Sequence, residues 1–406
     1  MTARETVEAD ICVVGAGIVG LAHAHEARAR GLRVVLVERH HHAVGASVRN
    51  FGHGFLSAMG EGEALDYAVA ARQRWLELGA RAGLEVLEFG SVMVARHADE
   101  LAVMARVAQD ERRGARMLSA REVGALVPIP TDGLLGGMHA TRDIRVDPRR
   151  AVGRLAALLE RDAEARILWG QPVHAVQAGR VETAQAGVRA PLVVICPGPD
   201  YHTLAPELAP HREGLTCCKL QMLRVAAPDG RRFRPALLTG LSLLRYPAFA
   251  ATQESALVRA RIGRDRPELG AAGIHLIVTQ LPDGDLIVGD THKYGEPISP
   301  FGVEQLDQLL LSEARGLLGA GRLKVQERWH GVYRTAPGSP FLIAAPLPGV
   351  RVVEVVSGIG MTTALGLAPR VLDGLLGGSN DPQADPRAAP FAAPPRSAEA
   401  RAGYES

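Results

Sequence analysis

The sequence predicts an α/β fold: a Rossmann-like βαβ domain opened by a Gly-x-Gly-x-x-Gly turn, beside a second domain built on a mainly antiparallel sheet. Three observations predict it. Residues 10–38 read strand, glycine turn, helix, strand; residues 215–345 are mostly strand-like with one clear helical stretch; residues 350–376 return to strand, glycine turn, helix. A length of 406 residues exceeds one ordinary core and divides most simply into two units. With 47% hydrophobic and 22% charged residues, the composition is that of a soluble globular protein. Lys plus Arg (46) nearly balances Asp plus Glu (44), so no overall field favours nucleic acid or an anionic membrane, and any anion must be bound locally.

Along the chain, "DICVV" is the first strand, "LAHAHEARAR" the first helix with Gly31 as its stop, and "RVVLVE" the second strand. An amphipathic helix follows at about 61–82, and "VLEFGSVMVAR" (86–96) alternates like a strand leaving the first layer. "SARE" (119–122) has the form of a capping box, and Asp147-Pro148 opens another helix. Short β runs from 166 to 198 end in "PLVVICPG", where the chain re-enters the first sheet. "CCKLQMLRVA", "IHLIVTQ", "DLIVGD", "VQERWHGVY" and "FLIAA" build the antiparallel unit, with a helix at about 302–318 lying on it. The division is therefore 1–85, 145–214 and 346–378 for the discontinuous nucleotide-binding domain, and 86–144 plus 215–345 for the substrate domain. The Pro- and Ala-rich segment 379–406 has little to bury and is expected to be disordered.

Gly15, Gly17 and Gly20 stand between a strand and a helix. The first permits a tight turn, the second lets a pyrophosphate approach the main chain, and the third allows close helix packing. The helix N-terminus then offers free N–H groups and partial positive charge to the phosphates. Glu38, 18 residues past Gly20, is placed to accept the ribose hydroxyls, and an acid there repels a 2′-phosphate. These features do not separate NAD from FAD. Gly358 and Gly360, in a second strand-to-helix turn, suit the far end of a long cofactor, although an ordinary turn would look the same.

From about residue 10 to 376 the chain resembles the FAD-dependent D-amino acid oxidase superfamily, which includes glycine and sarcosine oxidases. The resemblance rests on Gly15, Gly17, Gly20 and Glu38, the loop with Ser47, Arg49 and Asn50, the "VICPG" strand, "GVYRTAPGSPFL" (331–342) and "SGIGMT". It implies a flavin domain beside a β-rich substrate domain. Gly15, Gly17, Gly20, Glu38, Ser47, Asn50, Val173, Gly358, Gly360 and Thr362 would contact FAD, with Ile18, Val19, Arg39, Arg49, Gly198, Gly331 and Met361 beside them. Gly331 stands where sarcosine-oxidase relatives attach flavin through a cysteine, so noncovalent FAD is implied. Pro337-Gly338 replaces the usual Pro-Asp, and Thr362 replaces the lysine those relatives place near a carboxylate, which argues against simple sarcosine oxidation. No lysine precedes Lys293 in "DLIVGDTHKYG", so the route of flavin reoxidation, by O2 or another acceptor, stays open.

"RNFGHGF", "KLQMLR", "GDTHKYG" and "SGIGMT" are further similar to a bacterial subgroup linked to aminophosphonate breakdown. The implied activity is oxidation of the C–N bond of a small anionic amine by hydride transfer to flavin, giving an imine that hydrolyses. Arg334, Lys293, Lys219 and Arg49 are the candidate cations for the anion, a guanidinium being able to grip two oxygens at once. Arg334 could equally be a structural ion pair. Tyr333, His292 and His53 are the candidate catalytic groups; His53 could instead cap a loop, and His292 and Lys293 could form a solvated turn. An alcohol dehydrogenase acting on a 2-hydroxy acid or polyol, with His53 or His292 as base, is the nearest rival. The other rivals are an NAD-linked enzyme and a non-catalytic nucleotide-binding subunit.

His40, His41 and His42 lack companions at ligand spacing, so no metal is expected. Cys12, Cys196, Cys217 and Cys218 show no disulfide framework, which fits a reducing cytoplasm; Cys217 and Cys218 would face opposite sides of a strand. The polar start "MTARETVEAD" and the absence of ~18 uninterrupted apolar residues argue against a leader or membrane span.

Overall fold

A computed structural model describes residues 5–200 and 214–377; the segment 379–406, expected from its composition to be disordered, lies outside the described residues. The Val- and Ile-rich strands Ile11–Val14 and Val34–Val37 are buried along their whole length, as strands covered on both faces must be. They lie in a six-stranded sheet ordered Ala165–Leu168, Val34–Val37, Ile11–Val14, Leu192–Ile195, Val350–Val355, Phe341–Ala344. All neighbours are parallel except the edge strand Phe341–Ala344, which runs antiparallel to Val350–Val355. The strand "FLIAA" thus belongs to this sheet and not to the antiparallel unit. The short connection to Val350 folds it back on its neighbour, a pairing that strand propensity does not encode.

Helices Ile18–Ala29, Glu63–Ala82 and Gly360–Leu376 pack together over one face of the sheet. Trp75 is buried among them, and its indole N–H donates to the Met361 carbonyl at 2.8 Å, pinning the start of the last helix. A small four-stranded sheet, Glu5–Glu8, Ala186–Arg189, Arg180–Thr183 and Val173–Gln177, covers the other face through Val181 and Val188. The chain leaves Ile11–Val14 toward Val34 on one side and returns through Leu192–Ile195 on the other. That reversal opens a crevice beyond the strand ends, where Gly15 and Cys196 lie.

The second sheet has nine strands, with Thr216–Val225 antiparallel to Leu286–Gly289 and Lys293–Gly295 and, along nearly its whole length, to Val325–Thr335. Helix Glu304–Leu318 covers its outer face with Leu310, Leu317 and Leu318 against Leu223, Val225 and Val288. Its inner face, with Leu220 and Met222, turns toward Phe51 and Phe55. Both start signals read from the sequence are used. Ser119 and Glu122 exchange hydrogen bonds in a capping box, and Asp147 accepts from Arg149 N–H at 3.0 Å ahead of Pro148–Glu160. Helices Ala98–Val107 and Ser255–Asp265 have no counterpart among the elements the sequence predicts. No described helix is long and apolar enough to cross a membrane.

Candidate active site

One elongated cavity runs between the two sheets, from Glu38, Gln171 and Val173 at one end to His275, Asp290 and His292 at the other. Its outer half is built on the glycine turn. Gly15 has φ of +101°, and a Cβ there would meet the Cys196 carbonyl oxygen at 2.4 Å; a Cβ on Gly20 would lie 1.8 Å from the Gly15 oxygen. Bare backbone is therefore obligatory where the strand meets the helix. The helix starts at Ile18 with no side-chain cap at Gly17, and the Ile18 N–H donates to Ser47 Oγ at 3.0 Å. Glu38 accepts from Ala16 N–H at 2.8 Å and His40 N–H at 3.0 Å, which fixes the carboxylate at the mouth of the turn.

Most residues expected to hold a dinucleotide line this cavity: Gly15, Gly17, Ile18, Val19, Gly20, Glu38, Arg39, Ser47, Arg49, Asn50, Val173, Gly198, Gly331, Gly358, Gly360 and Met361. Several of their side chains shape the loop from within. Asn50 donates to the Ala46 and Ser47 carbonyls and accepts from Gly52 N–H, and Arg49 donates to the carbonyls of Val44 and His330. Arg39 pairs with Asp200. Thr362 does not line the cavity; its hydroxyl accepts from Phe55 N–H at 3.0 Å and is spent on the backbone behind it. A second helix, Gly360–Leu376, also presents an uncapped N-terminus to the cavity. Two such N-termini at the mouth of glycine turns, and an acid at the strand end between them, fit an elongated dinucleotide. Cys196 lines the cavity too, but burial raises its thiol pKa and keeps it protonated.

The inner half of the cavity corrects the substrate assignments. Lys219 is buried away from it, with Nζ donating to the Ser299 carbonyl at 2.7 Å and to the Phe301 carbonyl. Lys293 is exposed on a strand outside the cavity. Arg334 reaches the wall and is 2% exposed, but donates to Glu296 at 2.9 Å, and the buried Glu354 carboxyl, pushed up to about 8 by burial, faces its field. One end of the guanidinium is thus paired with a protein acid, while Nε has no partner among the described residues. His53 is stacked on Phe55 at 4.4 Å behind the wall, 3.9 Å from Asp143, and burial pushes its pKa down to about 3. It cannot reach a bound molecule in the cavity.

Tyr333 and His292 do line it. The Tyr333 ring lies directly over Gly358, where a Cβ would come within 2.9 Å of it, and its hydroxyl accepts from Arg245 at 3.0 Å. Burial raises the Tyr333 phenol well above its ordinary range, so it stays protonated. Arg245, which no sequence motif marks, is the guanidinium at this end. It also donates to the Ser357 carbonyl at 3.2 Å, lies over the Tyr246 ring at 5.7 Å, and leaves Nε without a partner among the described residues. His275 and Asp290, equally unmarked, join His292 deeper in. His275 and Asp290 face each other by paired main-chain hydrogen bonds, and His292 is two residues past Asp290 on the same side. Burial, then His292 and Arg245, hold His275 well below the usual imidazole range; burial and Arg245 bring His292 down to about 3; burial holds Asp290 well above the usual carboxylate range.

A family model described as FAD dependent oxidoreductase matches residues 10–372. A stretch of 73 residues, 18% of this chain, is 41% identical to one subunit of the anaerobic glycerol-3-phosphate dehydrogenase of Escherichia coli (strain K12), and the match spans 13% of that protein's length. Among solved structures, L-proline dehydrogenase from P. horikoshii superposes with a TM-score of 0.75 at 17% identity, covering 92% of this chain and 94% of the other. Glycine oxidase from Geobacillus kaustophilus does so with a TM-score of 0.70 at 19% identity, covering 91% and 95%. At such identities the likeness is one of fold.

Proposed function

The chain belongs to the FAD dependent oxidoreductases, and on that premise we propose that it oxidises the C–N bond of a small anionic primary or secondary amine, 2-aminoethylphosphonate or an N-methyl or hydroxy derivative being the favoured substrate. The observation that carries this reading is Arg245: a permanently charged guanidinium at the inner end of the cavity, paired with no carboxylate among the described residues, unlike Arg334, and with the neutral rings of Tyr246 and Tyr333 against it. FAD, when bound, supplies a two-electron acceptor.

The chain's own residues supply position. Gly15, Gly17 and the first helix receive the diphosphate, Glu38 the ribose, and the turn at Gly358 and Gly360 the distal end of the cofactor. Arg245 holds the substrate anion, and the Tyr333 hydroxyl beside it orients the substrate. The low polarity that keeps His275 and His292 neutral also disfavours a substrate ammonium, so the amine is bound without its extra proton and no dedicated base is required. Glycine oxidase and L-proline dehydrogenase, which share the fold, are by name enzymes of amino acid oxidation. The phosphonate preference draws on the similarity of "RNFGHGF", "KLQMLR" and "GDTHKYG" to the aminophosphonate-linked subgroup. We retain as part of the proposal the noncovalent FAD implied by Gly331, a cytoplasmic location that keeps the four free cysteines reduced, and the two-domain division, with residues 341–344 moved to the FAD side.

A second reading, oxidation of a phosphate-bearing alcohol, is favoured by the 73-residue similarity to a glycerol-3-phosphate dehydrogenase. Anaerobic bleaching of the flavin band separates them, using glycine, sarcosine, D-amino acids, 2-aminoethylphosphonate, its derivatives and glycerol 3-phosphate. Bleaching by the aminophosphonates with release of ammonia or methylamine is the expected result. Bleaching by carboxylates alone removes the phosphonate preference, and bleaching by hydroxy compounds alone removes C–N oxidation.

A further inference from the structure

We propose that His275, Asp290 and His292 bind one divalent first-row transition-metal ion at the inner end of the cavity, where the ion and Arg245 together take the oxygens of the substrate anion. The second half of this statement rests on the substrate reading above; the first does not.

The three side chains are buried, and a ligand atom from each lies within 4.8 Å of the other two, a spread that one ion can close with a small rotation of a side chain. His275 Nε2 is the shared corner, 3.2 Å from His292 Nε2 and 3.3 Å from Asp290 Oδ1. Metal–nitrogen and metal–oxygen bonds of about 2.1 Å set neighbouring ligand atoms about 3.0–3.4 Å apart, the spacing of the two pairs that share His275 Nε2. His292 Nδ1 lies 3.0 Å from the Gly273 carbonyl, which can only accept, so Nδ1 carries the hydrogen and the Nε2 lone pair faces His275. This is how a metal-ligating imidazole is oriented by its outer partner. The Tyr246 ring, edge-on to His275 at 5.4 Å, fixes the second imidazole.

A proton relay from Asp290 through His275 to His292 is the competing arrangement, and the geometry disfavours it. A relay enters an imidazole at one nitrogen and leaves at the other, whereas here a single atom, His275 Nε2, meets both neighbours. Among the described residues His275 Nδ1 has no partner, and Asp290 Oδ1 accepts no hydrogen bond although it is buried. Without an ion His275 Nε2–H donates to His292 Nε2; moving that hydrogen to the unpartnered Nδ1 leaves three lone-pair-bearing atoms converging on one point, which describes a cation site. Two imidazoles and a carboxylate suit zinc, ferrous iron or another borderline ion better than calcium or magnesium. The ion would offset the Asp290 charge and leave, with Arg245, a net double positive charge, the complement of a phosphonate dianion. Nothing in the sequence joins these residues, because hairpin register and not local spacing brings them together.

The test uses FAD-loaded enzyme stripped with EDTA, re-equilibrated with zinc sulfate, passed through a desalting column and assayed for zinc and flavin together. One zinc per chain is expected for the wild type. His275→Ala, Asp290→Ala and the milder His292→Asn should each weaken zinc binding by at least the roughly 10–100-fold that even an outer partner contributes, with flavin content retained. Zinc-free wild type after equilibration, or stoichiometric zinc in the variants, overturns the site. Stripping should also raise KM for 2-aminoethylphosphonate about tenfold or more, reversibly on adding zinc; an unaltered KM overturns the ion's role toward substrate. If amines bleach the flavin equally with and without metal and no zinc binds, the metal proposal falls and the amine reading stands. If zinc binds stoichiometrically and no amine bleaches the flavin, the reverse holds.

Discussion

Arg245 and Arg334 show how differently two buried arginines of one cavity can act. Arg334 follows Tyr333 in a stretch with a recognisable pattern, so it is the arginine visible from sequence; the structure pairs it with Glu296, and Glu354 lies within its field. Arg245 sits in an apolar stretch, "LSLLRYPAFA", that carries no motif, and only the folded chain brings it to the cavity. Arg245→Met should raise KM for an anionic substrate by about 10–150-fold, the worth of one charge-assisted hydrogen-bonding group, while flavin content holds. Steady-state kinetics check this, and an unchanged KM would remove Arg245 from the substrate site. Glu354 predicts a pH effect opposite to that of an ion-paired acid. Its carboxyl is held at about 8, far above the ~4.3 of an unfolded glutamate. Across pH ~6.5–8 the native state keeps a proton on Glu354 that the unfolded state has released, so this group's contribution to stability falls as pH rises. The slope from this one group is about 1.4 kcal/mol per pH unit. The buried His53 and His292, held at about 3, are neutral in the native state, while unfolded histidines, at ~6.5, still carry protons in the lower part of that window, so their contribution rises with pH. The last of the contribution from Asp143, held at about 6, falls instead, and both are shared by wild type and a Glu354 variant. Urea denaturation at several pH values should therefore show a stability-versus-pH slope that is more negative for wild type than for Glu354→Gln by about 1.4 kcal/mol per pH unit. Asp290, also held high by burial, adds to both slopes and cancels in the comparison.

Elements with local signals are legible. The glycine turn, the Ser119 capping box and the Asp147-Pro148 start all appear where the residues require them, because each is decided by contacts within a few positions. Asp147→Ala should cost about 1 kcal/mol by loss of the bond to Arg149 N–H, measured by chemical denaturation with flavin content unaltered; a cost near zero would mean that the cap is replaced by solvent. Helix Ser255–Asp265 is illegible for the complementary reason. Only Ser255, Val258 and Ile262 of its residues are buried, so its apolar stripe is too thin to mark a period. Strand Phe341–Ala344 is visible as a strand but not as a member of its sheet, since its alternation names a conformation and not a partner.

At the scale of the molecule, the cofactor region is a seam. Gly15, Glu38 and Gly360 belong to the parallel-sheet side, and Gly331, Tyr333 and His292 to the antiparallel side. FAD occupying that seam should fasten the halves, so one cooperative melting transition should move upward on adding FAD. The gain is about 2.7 kcal/mol at a hundredfold excess over Kd. Calorimetry of flavin-free and flavin-loaded protein decides it; two transitions, only one of which responds, would show that the cofactor engages one half alone.

Tyr333 and Arg334 owe their positions to the long antiparallel ladder in which Thr216–Val225 meets Val325–Thr335, with Cys218 opposite Tyr333 and Cys217 opposite Arg334. Because successive side chains alternate in direction, shifting that ladder by a single step would turn the Tyr333 ring to the opposite face, away from Gly358. Inserting or deleting one amino acid between Trp329 and Gly331 should therefore lower kcat/KM at least as much as Tyr333→Phe, which removes the orienting hydroxyl alone. The far end of the ladder, where Arg224 and Val225 already break step with Glu327 and Val325, is where the chain can absorb a change in length.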